Sequence, residues 1–131
     1  MNYDRNKPLL PGTIVASKFN TFDGDSKVGL FVVLYDEQSD TNNLIDTKNV
    51  VAVKLSTQNT LVSNYVVRVN RDRHSFLDND CVACCSKLHI LHKTKQIYKI
   101  LGELDPGTYK NMYKMYETFK ESVSKQMMLV L

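Results

Sequence analysis

The densest group of side chains able to do chemistry is basic: Arg68, Arg71, Arg73 and His74 follow one another along a short stretch of chain. Guanidinium groups pair with phosphate through parallel N–H donors, so such a cluster can track a nucleic-acid backbone without reading its sequence. Tyr65 and Phe76 flank it and offer flat rings on which unpaired bases stack. The same residues also describe an ordinary solvated loop, with Asp72 in its middle and two rings that belong to a core. Farther on, Cys81-x-x-Cys84 precedes His89-x-x-His92, the ligand types of a zinc site. Residues three apart on a strand face opposite sides, and the interval between the two pairs is shorter than in ordinary fingers. Small buried thiols are the better reading, with no metal and no cofactor expected. His89 titrates near neutral pH and can act as acid, base or phosphate donor. The chain has no nucleotide-binding glycine loop, no Ser-His-Asp or Cys-His arrangement, and no paired carboxylates at useful spacing.

Strands must position most of these groups. After the Pro11-Gly12 turn signal, Thr13–Phe19 alternates well enough for a first strand, and Asn20–Lys27, with its Asp-Gly, reads as a loop. Val28–Asp36 is a nearly continuous apolar run rich in β-branched and aromatic residues, which predicts a central strand covered on both faces. Glu37–Asn43 is polar linker and Leu44–Ile45 a short apolar pair, followed by a second buried strand at Asn49–Ser56. Thr57–Asn64 reads as a loop, Tyr65–Val69 alternates again, Asn70–Asp80 is a charged connection, and Cys81–Cys85 is a short apolar strand.

After Leu91 the period changes from 2 to 3.6, and Thr94–Leu101 reads as a short helix with Gly102 placed to end it. A second helix is better marked. Asp105 is a good N-cap, Pro106 suits the first helical position, and Leu104 can staple onto Tyr109. Tyr109, Met112, Tyr113, Tyr116, Phe119, Val123 and Met127 then line one face, with Lys110, Lys114, Glu117, Glu121 and Lys125 mainly on the other. The apolar end, Met127–Leu131, calls for packing on a partner or on the strands. Short strands followed by helices imply an α+β, mainly β domain. The expected architecture is a small antiparallel barrel from about Pro11 to Leu91, which removes exposed edges from few strands, closed by two C-terminal helices.

At 131 residues the chain has the size of one domain, and 43% hydrophobic with 24% charged residues excludes wholesale disorder. A net charge of +3 suits a polyanionic partner without defining one. No apolar run approaches the ~20 residues that span a bilayer. Met1–Leu10 is a polar arm, distinct from the barrel domain expected over 11–131, and lacks the apolar core of a signal peptide. Three cysteines, two of them adjacent, make a poor disulfide framework; reduced thiols and a cytoplasmic location are expected, with no membrane association.

Four stretches in this order resemble the MazF/PemK (Kid-like) family of toxin endoribonucleases, whose fold is a small SH3-like barrel with C-terminal helices. Pro11-Gly12-Thr13-Ile14-Val15 is similar to the family's opening PGDIV strand, and Val28–Asp36 to the strand that begins Arg-Pro and continues with aliphatics. Val50–Gln58 (VVAVKLSTQ) is similar to its VVAAITSQ-type strand, and Leu77–Lys93 to its L-x-x-D-S-V-x-x-x-x-Q-I-R-T-L-D-K stretch. The resemblance covers about Pro11 to Leu101 and implies a homodimeric, metal-independent endoribonuclease of single-stranded RNA, neutralised by a cognate antitoxin protein. In such a reaction the ribose 2′-hydroxyl attacks the adjacent phosphate, and the protein stabilises phosphoryl charge and assists proton transfer.

Carried over position by position, Ser56 falls where the family has its catalytic Thr, with Thr57 beside it. Val28 and Gly29 occupy the Arg-Pro positions, leaving Lys27 as the nearest cation, without a guanidinium's bidentate fork. A one-residue slip along a strand also turns a side chain to the other face. The family's Gln-x-Arg becomes Lys87-Leu88-His89, and the Arg and Asp of the Kid-like branch become Ala83 and Cys85. The resemblance therefore implies Ser56, Lys27 and His89 as catalytic groups, and Lys54, Thr57, Arg68, Arg71, Arg73 and Lys87 as RNA-binding ones. A barrel that has lost catalysis and binds a protein or nucleic acid, for example as a phage or mobile-element inhibitor, is the alternative that the missing Arg-Pro favours.

Overall fold

The computed structural model describes residues 9–21, 23–36, 48–57 and 65–130, with side chains of the C-terminal helix described as far as 125. The polar arm over 1–8, the linker and apolar pair over 37–45, the loop residues 58–64 and the apolar end at 127–131 lie outside the described residues or side chains.

Six strands follow in order: β1 (Thr13–Asn20), β2 (Ser26–Asp36), β3 (Asn49–Ser56), β4 (Val66–Val69), β5 (Cys81–His92) and β6 (Ile97–Glu103). One helix, α1 (Pro106–Val130), ends the chain's described part. The strands form one antiparallel sheet in the order β4-β5-β3-β2-β1-β6. Among the described residues no ladder joins β4 to β6, so the sheet is open at both ends where a closed barrel was expected. α1 packs over β4 and β5 instead, and covers that end of the sheet with side chains.

The continuous apolar run in β2 does what its composition predicts. Phe31 and Val33 face one side with Val15, Val50, Ala52, Leu91 and Ile97, while Val32 and Leu34 face the other with Ile14, Val53, Leu55 and Met112 of α1. Both sets are buried, so the sheet carries two cores, one on each face. The β1–β2 hairpin is longer than its Asp-Gly suggested. Its turn is confined to 21–25, where Gly24 takes a positive φ of 88° and donates its N–H to the Thr21 carbonyl.

The short helix expected at Thr94–Leu101 is a tight turn followed by β6. Gln96 closes that turn: its N–H donates to the His92 carbonyl at 2.9 Å and its Oε1 accepts the His92 N–H at 2.7 Å. Ile97, Tyr98, Ile100 and Leu101 have helix-like spacing because β6 pairs with β1 through two register shifts, which break its period-2 pattern. Gly102 ends no helix. A Cβ there would lie 2.7 Å from the Phe76 ring, so glycine serves the close approach of that ring. β5 likewise runs well past Cys85. Its residues 84–87 leave the ladder with β3, and pairing resumes at Leu88 opposite Val53.

A buried ion pair fastens the β5–β6 turn to the end of β2. Lys93 Nζ sits 2.9 and 3.2 Å from the Asp36 carboxylate oxygens, and both side chains are 0% exposed. Asp36 also accepts the backbone N–H of Leu9 at 2.6 Å, which buries Leu9 in a segment whose composition suggested only a polar arm. At the other end of the sheet the helix start is as expected: Asp105 Oδ2 accepts the Thr108 N–H at 3.1 Å, and Leu104 is buried beside Met112. No helix among the described residues is long and apolar enough to cross a membrane.

Candidate nucleic-acid interface and active site

One face of the sheet changes character along its length. In β2 the alternation that buries Val33 and Phe31 continues outward to Gly29 and Lys27. In β3 the same alternation runs from Val50 and Ala52 to Lys54 and Ser56, because Phe31 stands opposite Lys54 and Val33 opposite Ala52. In β5 it brings His89 opposite Ala52. The apolar half is core, and the polar half opens into a groove of about 420 Å³ lined by Phe19, Lys27, Gly29, Lys54, Ser56 and Thr57 among others.

Phe19 is the organiser of this groove. Its ring meets Phe31 edge-on at 5.8 Å between centroids, and Lys54 Nζ lies 4.5 Å from its centroid in a cation–π contact. Gly29 makes room for both: a Cβ at that position would stand 3.0 Å from the Phe19 ring and 3.3 Å from Lys54 Cε. His89 also meets the Phe31 ring edge-on, 5.2 Å between centroids. Burial, and then the charges of Lys87 and Lys27, hold the Lys54 ammonium below the usual lysine value. Burial, and then Lys87 and Lys54, push His89 below the ordinary histidine value, so its imidazole is neutral at neutral pH. Lys54 thus feels both Lys27 and Lys87, and His89 sits near Lys54 and Lys87 as a proton acceptor. A bowl of ammonium groups beside a hydroxyl and a neutral imidazole suits a phosphodiester, whose charge it neutralises and whose neighbouring hydroxyl it can deprotonate.

The expected site residues separate into two sets. Lys27, Lys54, Ser56 and Thr57 share the groove, with Lys87 and His89 beside it. Lys27 stands on the groove face because it is two residues from Gly29; Val28, at the family's Arg position, lies between them in the strand and also lines the groove, with an apolar side chain. Arg68 lies on β4, opposite Val82, which in turn stands opposite Ser56. Arg71 and Arg73 do not join them. They form a short 3-10 turn in which the Arg71 N–H donates to Asp80 Oδ1 at 2.7 Å and the Arg73 guanidinium reaches Asp105 at the N-cap of α1, 3.4 Å away. Hydrogen bonds from Thr108 and the nearby Arg73 charge hold the Asp105 carboxyl below the usual carboxylate value.

His74, fourth member of that basic cluster, is a buried structural group. Its Nε2 accepts the Asp105 N–H at 2.8 Å, which assigns the proton to Nδ1, and Nδ1 donates to the Asn70 carbonyl at 2.7 Å. Phe76 packs on His74 and Tyr65 on Phe119, so neither flanking ring is a free stacking platform. Phe19, which sits in the groove, carried no local signal distinguishing it from a core strand residue. All three cysteines are free thiols, Cys81 and Cys85 buried and Cys84 half-buried. Burial, with Cys84 adjacent, pushes the Cys85 thiol up to about 12. Among the described residues no three His, Cys, Asp or Glu side chains come together as metal ligands. Two further clefts run along α1 between Tyr109, Tyr113 and Tyr116, and hold none of the expected site residues.

Neither a protein-family model nor a curated protein sequence matches the chain. Solved structures do. An endoribonuclease in complex with its cognate antitoxin, from mycobacterial species, superposes with a TM-score of 0.65 at 16% identity, covering 86% of this chain and 95% of its own. A second mycobacterial endoribonuclease superposes with a TM-score of 0.64 at 16% identity, covering 88% and 93%. The chain has the fold of these endoribonucleases. The likeness therefore extends over most of the backbone, 86–88% of this chain. At 16% identity the likeness carries the architecture, and the chemistry must be argued from the groove.

Proposed function

We propose that this chain is the toxin of a toxin–antitoxin pair: a cytoplasmic, homodimeric endoribonuclease that cuts single-stranded RNA without a metal ion, with residues 11–131 acting as one functional unit. The observation that carries this reading is the strand register, which gathers Lys27, Lys54 and Ser56 at the open end of one sheet face, with His89 behind them on the same face within reach of the Lys54 charge. In the proposed reaction the O2′–P bond forms and the P–O5′ bond breaks. His89 accepts the 2′ proton, and the Lys27 and Lys54 ammonium groups hold the charge that builds on the phosphoryl oxygens. Ser56 donates to one of those oxygens, and a groove ammonium supplies the proton with which the 5′ oxygen leaves. Thr57 and Lys87 hold the flanking backbone. The fold shared with an endoribonuclease bound to its antitoxin supports a cognate antitoxin as the protein partner.

A second reading has its own observation. Among the described residues no guanidinium lines the groove, and an ammonium gives neither the fixed fork nor the bidentate geometry that an arginine brings to a phosphoryl group. A groove of this kind can bind RNA, or a protein acid, without cutting. Incubating purified protein with long single-stranded RNA in excess chelator separates the two. Sequence-selective cuts ending in a cyclic phosphate, lost in Ser56→Ala and His89→Ala, support the nuclease. Intact RNA after prolonged incubation with the folded protein sinks it and leaves the binding module.

A further inference from the structure

Beside the groove, and sharing Cys81 with it, lies a smaller recess of about 170 Å³ lined by Arg68, Asn70, Asp80, Cys81 and Val82. Arg68, Val82 and Ser56 stand in register across β4, β5 and β3, so two strand spacings, about 10 Å, separate the Arg68 backbone from that of Ser56. Arg68 and Asp80 line this recess without pairing: among the described residues the Arg68 guanidinium makes no ion pair or hydrogen bond. Asp80 has one oxygen engaged, Oδ1 with the Arg71 N–H, while Oδ2 makes no hydrogen bond among the described residues.

That arrangement selects against phosphate, since an anion drawn to Arg68 would meet the Asp80 carboxylate. The occupant that satisfies both must present paired acceptors to the guanidinium fork and paired donors to the carboxylate. Among RNA bases only guanine does so, with O6 and N7 on one edge and the N1 and N2 hydrogens on the other. The Val82 side chain, in register with Arg68 on the same face, supplies the apolar wall that a flat base needs. We propose that this recess is a guanine-binding subsite that seats the base next to the phosphate held in the Lys27–Lys54 groove; it rests on the RNA-cleaving reading for that phosphate. Arg68 then reads a base and does not track the backbone.

Binding of uncleavable 2′-fluoro oligonucleotides, uridine throughout except for one central purine, tests this by fluorescence anisotropy apart from any catalysis. Guanine should bind roughly ten- to a hundred-fold more tightly than adenine, the range for one good bidentate contact. 7-Deazaguanine, lacking the N7 acceptor, and inosine, lacking the 2-amino donor, should each lose part of that preference. Asp80→Asn keeps an acceptor for the Arg71 N–H, and it and Arg68→Gln should bring guanine and adenine level while melting like the parent. Tight binding of all oligonucleotides alike overturns the subsite and leaves the RNA reading standing. Equal weakening of every oligonucleotide by Arg68→Gln also overturns it, by making Arg68 a backbone contact. No binding of any oligonucleotide overturns both.

Discussion

Replacing Lys93 by methionine should be among the most damaging single changes in this chain. Lys93 and Asp36 are both 0% exposed, with Nζ 2.9 Å from the nearer carboxylate oxygen, so deleting the ammonium takes that counter-charge away from a carboxylate buried in the core. Breaking a pair of this kind by removing one partner costs about 3–5 kcal/mol. The structure argues for the upper part of that range, because the Leu9 N–H also holds this carboxylate in its buried position. At roughly 3–5 °C per kcal/mol for a chain of this size, the melting temperature should fall by about 10–20 °C. The double change Asp36→Asn with Lys93→Met removes both charges and keeps an acceptor for Leu9. It should recover about 2 kcal/mol of the loss in spite of carrying one more substitution. Urea titrations of the parent, both single variants and the double variant, fitted with a common slope, give the coupling directly. A Lys93→Met cost below about 1 kcal/mol, or strictly additive single changes, would refute the account of this pair as a mutually dependent buried unit.

The rest of the structure makes further commitments. His74→Ala leaves the Asp105 N–H without its acceptor and the Asn70 carbonyl with the Arg73 N–H alone, and should destabilise by about 1–3 kcal/mol in thermal melts, with His74→Gln recovering part of it. Gly29→Ala should weaken RNA binding while leaving the melting temperature nearly unchanged, because the new methyl pushes on the Phe19 ring and the Lys54 stem at the groove; unaltered binding would contradict the packing described there. Since His89 has its folded pKa depressed below the unfolded value, its contribution to stability is complete above the ordinary histidine pKa and is lost as pH falls through and below it. Cleavage that uses its neutral form should therefore persist below pH ~6.5, and an NMR titration of the imidazole that places it above that value would count against the role. Native protein treated with iodoacetamide at neutral pH should leave Cys85 unmodified until denatured, as peptide mass mapping would read.

Local pattern was enough for the elements whose surroundings agree with it. β3 begins and ends where its apolar run does, and Asp105-Pro106 marks the start of α1 because capping chemistry acts within one turn. Ser56 and Thr57 were placed by resemblance, and the register then showed why Lys27, two residues from Gly29, shares their face. The misread segment, Thr94–Leu101, fails for a physical reason: register shifts let a strand imitate a 3.6-residue period, and the glycine that seemed to end a helix answers to Phe76, 26 positions away in the sequence. The structural role of His74 is hidden for the same kind of reason. Nothing in the sequence around His74 marks it as buried, because the helix start it supports comes back from thirty residues downstream through Asp105, while Arg73 beside it stays exposed. Asp36 and Lys93 carry no local mark at all, being 57 positions apart.

The alternation that runs from Val33 through Phe31 to Gly29 and Lys27 has a consequence for how this scaffold can change over time. The residues that hold the sheet together and those that line the groove lie on the same strands but at different distances along them. Substitutions beyond Phe31 and Ala52 alter charge and reach at the open end without reaching the hydrophobic contacts behind it. The face therefore behaves as a handle and a blade in one piece: the blade can be reground, arginine to lysine or one base preference to another, while the handle keeps its shape. A backbone that superposes on distant endoribonucleases while keeping 16% of their residues is what such a division of labour permits.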